Sequence, residues 1–285
     1  MYLRHFGLRE KPFALTPHTG FFVPLESHRQ ALETLVVALA EDEGFIKVIG
    51  EVGTGKTLLC RMLLERLDDP FVTAWLPNPF LGPEGVYDAV ARELGAGGGE
   101  GPFSHRLLER IQDRVLQLHA TGRRAVLIVD EAQSLPTASL EAIRLLTNLE
   151  TRRRKLLQVV LFGQPELDAR LRTRALRQLA QRVSFSARLE PVPARDARSY
   201  LAHRLSCAGS RAELPFTRRA VAVLHRASRG NPRVMNLLSH KAMLSAYGRG
   251  ETRVRWRHVR RAVADTEVAN AFFSARRLAG WRRIR

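Results

Sequence analysis

A strand, a glycine-rich loop and a helix follow one another near residue 50, and this arrangement limits the folds open to the chain. The apolar run GFIKVIG leads into the loop GEVGTGKT, and the helical pattern LLCRMLLERL follows it. Glycines let a backbone curl closely around an anion, and the start of the next helix offers unpaired N–H groups. The spacing matches G-x-x-x-x-G-K-[ST], the phosphate-binding P-loop. It predicts a nucleotide-binding α/β fold, with a plain glycine turn between strand and helix as the alternative.

The P-loop residues have separate predicted roles. Lys56 is expected to reach the β- and γ-phosphates of ATP, and Thr57 to bind Mg²⁺. The full set of predicted nucleotide contacts is Gly50, Glu51, Val52, Gly53, Thr54, Gly55, Lys56, Thr57 and Leu58.

Two acidic residues, Asp130 and Glu131, end the apolar run in AVLIVDEAQ. Such a run is typical of a strand buried on both faces of a parallel sheet. In a P-loop protein the aspartate can hold Mg²⁺ together with the loop hydroxyl, and the glutamate can polarise a water for attack on the γ-phosphate. The pair therefore indicates ATP hydrolysis as well as binding. Capping of the next helical segment is the alternative.

Composition is that of a core-forming chain, since 45% of the 285 residues are hydrophobic and 26% are charged. No apolar stretch approaches the roughly 20 residues that span a bilayer, and the N-terminus lacks the apolar core of a signal peptide. We therefore expect a cytoplasmic protein without a transmembrane segment. The two cysteines, Cys60 and Cys207, form no C-x-x-C pair, which argues against a metal or redox motif.

Basic charge is concentrated in the C-terminal part. Residues 1–171 hold 20 Lys and Arg against 22 Asp and Glu, whereas residues 172–285 hold 26 against 6. This asymmetry indicates contact with nucleic acid, an anionic membrane surface or an acidic protein. Because 41 of the 46 basic residues are arginine, a genome-wide composition bias is an equally good explanation.

Strand and helix patterns alternate up to about residue 190 and become all helical after it. The alternation predicts a parallel three-layer α/β/α sandwich, with function at the C-terminal ends of its strands. The later helices are expected at 197–208, 217–228, 232–247 and 256–265. We therefore predict three parts: a nucleotide-binding core with its N-terminal segment over 1–190, a small helical lid over 191–265, and a basic tail over 266–285.

At this point the sequence resembles the AAA+ ATPases, and in particular the ExeA/GspA-related branch that includes MSHA-type pilus biogenesis proteins. The opening MYLRHFGLREKPFALTPHTGFF is the most specific part, and the likeness continues through VLIVDEAQ, LFGQPEL and GNPRVMN. It covers residues 1–265. Relatives in type II secretion carry a transmembrane segment and a periplasmic extension after the ATPase part, and this chain stops at Arg285. That departure favours the pilus-biogenesis variety.

The resemblance implies further site residues. Gln164 in LFGQPEL matches a sensor of the γ-phosphate, although a strand-end amide can also cap a loop. Arg233 in GNPRVMN matches the lid arginine that reaches the γ-phosphate. The arginine finger should come from a neighbouring subunit, with Arg182 as first choice and Arg177 as second, so a homo-oligomer is expected. Asn78 could hold Glu131 inactive, or could be a turn residue.

Three functions remain open at this stage. The resemblance implies an ATPase that drives or switches assembly of a cell-envelope machine with partners at the inner membrane, where the basic tail could lie on the bilayer. A DNA-associated ATPase of the transposition or replication-initiator type is the alternative, because RVRWRHVRR interleaves arginines with Trp256. A nucleotide-gated scaffold is the third, although a pure binder has no need of Glu131.

Overall fold

The computed structural model describes residues 2–77, 80–97, 104–149, 155–267 and 269. These residues form two compact units. The sheet unit comprises the described residues within 26–52 and 56–190, and the helical unit comprises those within 1–25, 53–55 and 191–285. Each unit has its own buried apolar cluster.

In the described part of the sheet unit, five parallel strands form one sheet, in the order β2-β3-β4-β1-β5. The strands are β1 Phe45–Gly50, β2 Phe71–Leu76, β3 Arg124–Val129, β4 Leu157–Gly163 and β5 Phe185–Leu189. Because β1, β3 and β4 lie in the middle, their side chains are covered on both faces, which explains their continuous apolar runs. The C-terminal ends of these three strands therefore lie at the same edge of the sheet.

Helices cover both faces of this sheet. The first helix in chain order, the short α1 Tyr2–His5, belongs to the helical unit. The helices of the sheet unit are α2 Glu26–Ala40, α3 Lys56–Arg66, α4 Pro83–Glu93, α5 Ser104–Ala120, α6 Thr137–Leu146, α7 Pro165–Leu171 and α8 Arg177–Ala180. On one face Phe45 and Ile49 of β1 pack in the cluster that contains α4, α5 and α6. Since alternate strand residues face opposite sides, Ile46 and Val48 are buried on the other face. The predicted three-layer α/β/α class is confirmed.

The described residues of the helical unit form four longer helices near the predicted positions. They are α9 Ala197–Cys207, α10 Arg218–Ser228, α11 Pro232–Tyr247 and α12 Trp256–Ala264. Side chains cap the N-termini of α10 and α11: Thr217 Oγ1 accepts from the Ala220 N–H at 3.3 Å, and Asn231 Oδ1 accepts from the Val234 N–H at 3.2 Å. The predicted all-helical region after the sheet is therefore confirmed.

The N-terminal segment packs differently from our expectation. We predicted that residues 1–25 accompany the nucleotide-binding core, whereas the described residues among them, 2–25, group with the helical unit. Phe13 is buried edge-to-face against Phe216, and Arg204 donates through Nε to the Pro12 carbonyl at 2.7 Å and lies 5.1 Å from the Phe21 ring centre. The aromatic residues of the segment thus fill the core of the helical unit.

Candidate active site

The P-loop begins where β1 ends, at Gly50, and closes where α3 begins, at Lys56. Two of its glycines have backbones in the left-handed region, Gly53 with φ +80° and Gly55 with φ +103°. A side chain at either position would be strained, so the glycines are required by the path of the loop. Thr54 lies between them and is buried.

The side chain of Lys56 is buried and folded back over the loop. Its Nζ donates to the Gly50 carbonyl at 2.9 Å and to the Glu51 carbonyl at 3.2 Å. Burial lowers the pKa of Lys56, and the nearby carboxylates of Glu131 and Asp130 oppose that shift. The ammonium group is therefore held at the loop by carbonyl dipoles, in the position from which a lysine can serve phosphate oxygens.

Asp130 follows β3 and is buried at the same sheet edge. Its carboxylate accepts hydrogen bonds from the Thr57 hydroxyl and, at 2.9 Å, from the Glu131 N–H. Burial raises the pKa of Asp130, and these two hydrogen bonds oppose the shift. The structure therefore brings together the hydroxyl and the carboxylate that the sequence predicts as magnesium ligands.

Glu131 has an unusual backbone, with φ +51° and ψ +39°. A left-handed conformation costs a non-glycine residue about 1–2 kcal/mol, and such residues gather at functional sites. Its Oε2 accepts from Gln164 Nε2 at 2.9 Å and from Gln133 Nε2 at 2.5 Å. Burial alone would raise the pKa of Glu131, but the two amide donors and the charge of Lys56 outweigh it and lower the pKa. The carboxylate is therefore held ionised and in one orientation.

Gln133 is a site residue that the sequence interpretation did not single out. Besides its bond to Glu131, its Oε1 accepts from the Gln164 N–H at 3.0 Å. Its own carbonyl accepts from Arg170 Nη1 at 2.6 Å. The available signal was its place two residues after Glu131, in the AVLIVDEAQ run, where the 3₁₀ turn Ala132–Ser134 bends the chain back. We call Gln133 and Gln164 the amide clamp.

A family comparison agrees with this geometry. Residues 39–171, which contain the P-loop, Asp130, Glu131 and the amide clamp, match the family described as AAA domain.

An AAA domain therefore spans residues 39–171 of the chain.

A curated relative extends the similarity beyond this AAA domain. The chain is 41% identical over 254 residues to General secretion pathway protein A of Aeromonas hydrophila, to which it is homologous. The match covers 89% of this chain and 46% of the relative, so the chain spans about half the relative's length.

Solved structures share the fold of the AAA domain and of the helical region. Cdc6p of Pyrobaculum aerophilum has a TM-score of 0.68 at 18% identity, over 89% of this chain and 70% of that one. The ORC1 protein of Aeropyrum pernix, solved in complex with DNA, has a TM-score of 0.65 at 21% identity, over 90% of this chain and 69% of that one. The RuvB branch migration motor of Thermotoga maritima has a TM-score of 0.52 at 16% identity, over 84% of this chain and 68% of that one. At these identities the likeness concerns the fold alone.

The predicted arginines of the AAA domain and helical unit have different surroundings. Arg182 Nη1 donates to Thr147 Oγ1 at 2.6 Å, and its Nη2 donates to Asn148 Oδ1. Arg177 is exposed and has neither a hydrogen-bonded nor an ion-paired side chain within the described residues. Arg233 lies in the first turn of α11 with an exposed side chain, and its N–H donates to the Gly53 carbonyl at 3.2 Å within the helical unit.

Several basic residues of the RVRWRHVRR segment are paired within the helical unit. Glu251 lies 2.6 Å from Arg257 Nη2 and 3.9 Å from Arg255 Nε. The Trp256 ring is covered by Arg219 at 4.9 Å and Arg260 at 5.5 Å from its centre. These contacts occupy the groups that suggested base stacking.

Two expectations lie outside the described residues. They concern Asn78 and nearly all of the basic tail, residues 268 and 270–285. In the part of the chain that the structure describes, no helix is both long and apolar enough to cross a membrane.

Proposed function

We propose that this protein is an ATPase that binds ATP with Mg²⁺ and hydrolyses it to ADP and phosphate. The observation that carries the proposal is the orientation of Glu131 by the amide clamp, next to a P-loop whose Thr57 hydroxyl bonds the Asp130 carboxylate. A glutamate held in this way serves proton transfer from water, which nucleotide binding alone does not require.

The donor set suits magnesium and phosphate. Mg²⁺ prefers oxygen ligands and usually keeps several waters, and it is bound through one or two carboxylates together with substrate phosphates. Thr57 and Asp130 would supply a hydroxyl and a carboxylate, while Lys56 and the loop N–H groups would bind phosphate oxygens. Bound Mg²⁺ would supply charge neutralisation at those oxygens.

Glu131 is the general base in this proposal. Both amide donors bond Oε2, and no described residue donates to Oε1, so Oε1 is the oxygen that can take a proton from water. Gln164 fixes the carboxylate and serves as the predicted sensor. Arg233 and an arginine from a neighbouring subunit, Arg182 or Arg177, are proposed to stabilise charge on the transferred phosphoryl group.

For the biological role, we propose that ATP turnover drives or switches assembly of a cell-envelope machine at the cytoplasmic face of the inner membrane. The similarity to General secretion pathway protein A supports a secretion-type machine. Within that class we propose MSHA-type pilus biogenesis, in the manner of MshM, and partners among the pilus assembly proteins. The N-terminal motif FGLREKPF supports the ExeA/GspA-related branch, which includes these pilus proteins.

The first test is phosphate release from Mg-ATP by the full chain at several protein concentrations. We expect turnover in the wild type, normal ATP binding without turnover in Glu131→Gln, and weakened binding in Lys56→Ala. Specific activity that rises with concentration would support a site completed by a neighbour. Equal turnover in wild type and Glu131→Gln would contradict the assignment of the base.

The envelope role has its own test. In a strain that lacks the gene, we expect surface pili to return with the wild-type chain but not with Glu131→Gln expressed at the same level. Pili that are unaffected by loss of the gene would remove the pilus proposal and leave the ATPase proposal standing.

A further inference from the structure

A groove in the helical unit is lined by basic side chains and is separate from the residues assigned above. Its walls come from α10 and from the start of α9, and its cavity volume is about 740 Å³. We call it the arginine groove; its lining residues are Ala194, Arg198, Arg218, Val221, Ala222, His225, Arg226 and Arg229. No acidic side chain is among them.

Three arginines of the arginine groove have no acidic partner among the described residues. Arg198, Arg218 and Arg226 are exposed, and among the described residues none has an ion pair or a side-chain hydrogen bond. The acid nearest in sequence, Asp196, lies 3.7 Å from Arg195 Nε instead. Three cations on one concave surface repel one another, so an anion that enters the groove gains their combined attraction.

A hydrogen bond fixes one lining residue of the arginine groove, His225. His225 Nε2 lies 2.9 Å from the Val192 carbonyl, and the Val192 N–H donates to the Gly230 carbonyl at 2.8 Å. A Cβ on Gly230 would come within 2.3 Å of the Val192 oxygen, so the chain packs tightly there. Along α10, Ala222 lies between Arg218 and Arg226 on one helix face, with about 12 Å of helix rise from one arginine to the other.

We propose that the arginine groove binds an acidic peptide segment of a partner protein, with carboxylates about 12 Å apart on either side of an apolar residue. The arginines would hold the carboxylates, as arginine clusters do in acidic-motif recognition. Val221, Ala222 and Ala194 would contact the apolar residue. Nucleic acid fits less well, because the groove has no Phe, Tyr or Trp on which a base could stack. This inference does not depend on the ATPase proposal.

The test measures fluorescence anisotropy of a fluorescein-labelled peptide, four repeats of Glu-Ala-Leu-Glu, titrated with the full chain at 150 mM salt. We expect binding by the wild type and a loss of about tenfold or more in affinity for the double variant Arg218→Glu, Arg226→Glu, because two exposed charge pairs are lost and reversed. The matched control is Arg211→Glu, Arg249→Glu, which changes the unit's charge equally outside the groove. It should bind within about twofold of the wild type.

A single substitution gives an independent check. Ala222→Glu places a carboxylate four residues from both Arg218 and Arg226, where it can pair with them and support α10. We expect lost peptide binding with an unchanged or higher melting temperature, which separates this effect from misfolding.

Probe comparisons decide the ligand class. Sixteen glutamates without leucine should bind more weakly, and a labelled 16-nucleotide single strand or phosphatidylglycerol vesicles should not compete. Equal loss in the groove and control variants, no binding of the peptide, or tighter binding of the nucleotide strand or vesicles would each overturn the proposal.

Discussion

The amide clamp predicts that Gln133 governs the chemical step without contacting the nucleotide. The perturbation is Gln133→Leu, which keeps the approximate size of the side chain and removes its amide. It deletes the bond to Glu131 Oε2 and leaves the Gln164 N–H without the acceptor it has at 3.0 Å. Glu131 would then be held by Gln164 alone.

The expected magnitude follows from these two bonds. A hydrogen bond to a charged group contributes about 1.5–3 kcal/mol. If this whole free energy stabilises the catalytic orientation of Glu131, its loss lowers kcat by about 10- to 150-fold, since 1.36 kcal/mol is a factor of ten in rate. Gln164 Nε2 still donates to the same oxygen at 2.9 Å, so we expect the lower part of that range, about 10- to 30-fold. KM should not change, because among the described residues Gln133 bonds only Glu131, Gln164 and Arg170.

The assay is steady-state ATP turnover, with kcat and KM determined separately and ATP binding measured on the same samples. Gln158→Leu is the matched control, because Gln158 lies near the other end of β4 and donates to the Leu39 and Glu43 carbonyls at 3.0 and 3.1 Å. It should lower the melting temperature and leave kcat per folded protein unchanged. Gln133→Glu should be worse than Gln133→Leu, because it places a second carboxylate against Glu131.

Double substitution tests whether the two amides act together. Gln133 and Gln164 share one acceptor oxygen, so each partly covers the loss of the other. The kcat loss in the double leucine variant should therefore exceed the product of the single losses. A Gln133→Leu kcat within twofold of wild type, or a raised KM with unchanged kcat, would refute the clamp.

Other perturbations test the arginines, the strand end and the effect of pH. Arg182→Ala should lower the melting temperature, because its hydrogen bonds to Thr147 and Asn148 are lost, whereas Arg177→Ala should not. Turnover by mixtures of each variant with Glu131→Gln subunits then identifies the arginine finger. Gly163→Ala should destabilise by about 1–3 kcal/mol in denaturant titrations, because its Cβ would meet Leu167 Cδ2 at 2.5 Å. Burial lowers the folded-state pKa of His258, so the unfolded chain binds more protons below about pH 6.5. The free energy of unfolding should therefore keep its full His258 contribution above about pH 6.5 and fall below that pH. The difference between the melting temperatures at pH 7.5 and pH 5.5 should be smaller in His258→Gln than in the wild type.

Local patterns in the sequence were enough to predict much of the fold. The buried runs of β1, β3 and β4 are visible because central strands of a parallel sheet are covered on both faces. In the helical unit, α10 and α11 are visible because Thr217 marks the start of α10, Asn231 and Pro232 mark the start of α11, and Gly248 marks its end. The P-loop and the Asp130–Glu131 pair are visible because the chemistry fixes both residue type and spacing.

Features that depend on distant contacts were not visible. Strand β5 lies at the sheet edge with only Leu189 fully buried, so no apolar run marks it. The N-terminal segment packs on residues some 200 positions away, as the Phe13–Phe216 contact illustrates. Gln133 becomes a site residue only because the 3₁₀ turn after Glu131 returns its amide to the carboxylate.

The conformation of Glu131 connects these local and distant effects. A regular strand would carry the chain past the sheet edge, whereas the left-handed backbone at Glu131 starts the turn that brings Gln133 back. Arg170 of α7 then links the Gln133 carbonyl to the Thr137 hydroxyl at the start of α6. The orientation of the proposed base therefore depends on two helices of the sheet unit. A displacement of α7 against α6 would loosen Gln133 before it disturbed the P-loop, so we expect Arg170→Ala to lower kcat while leaving ATP affinity unchanged.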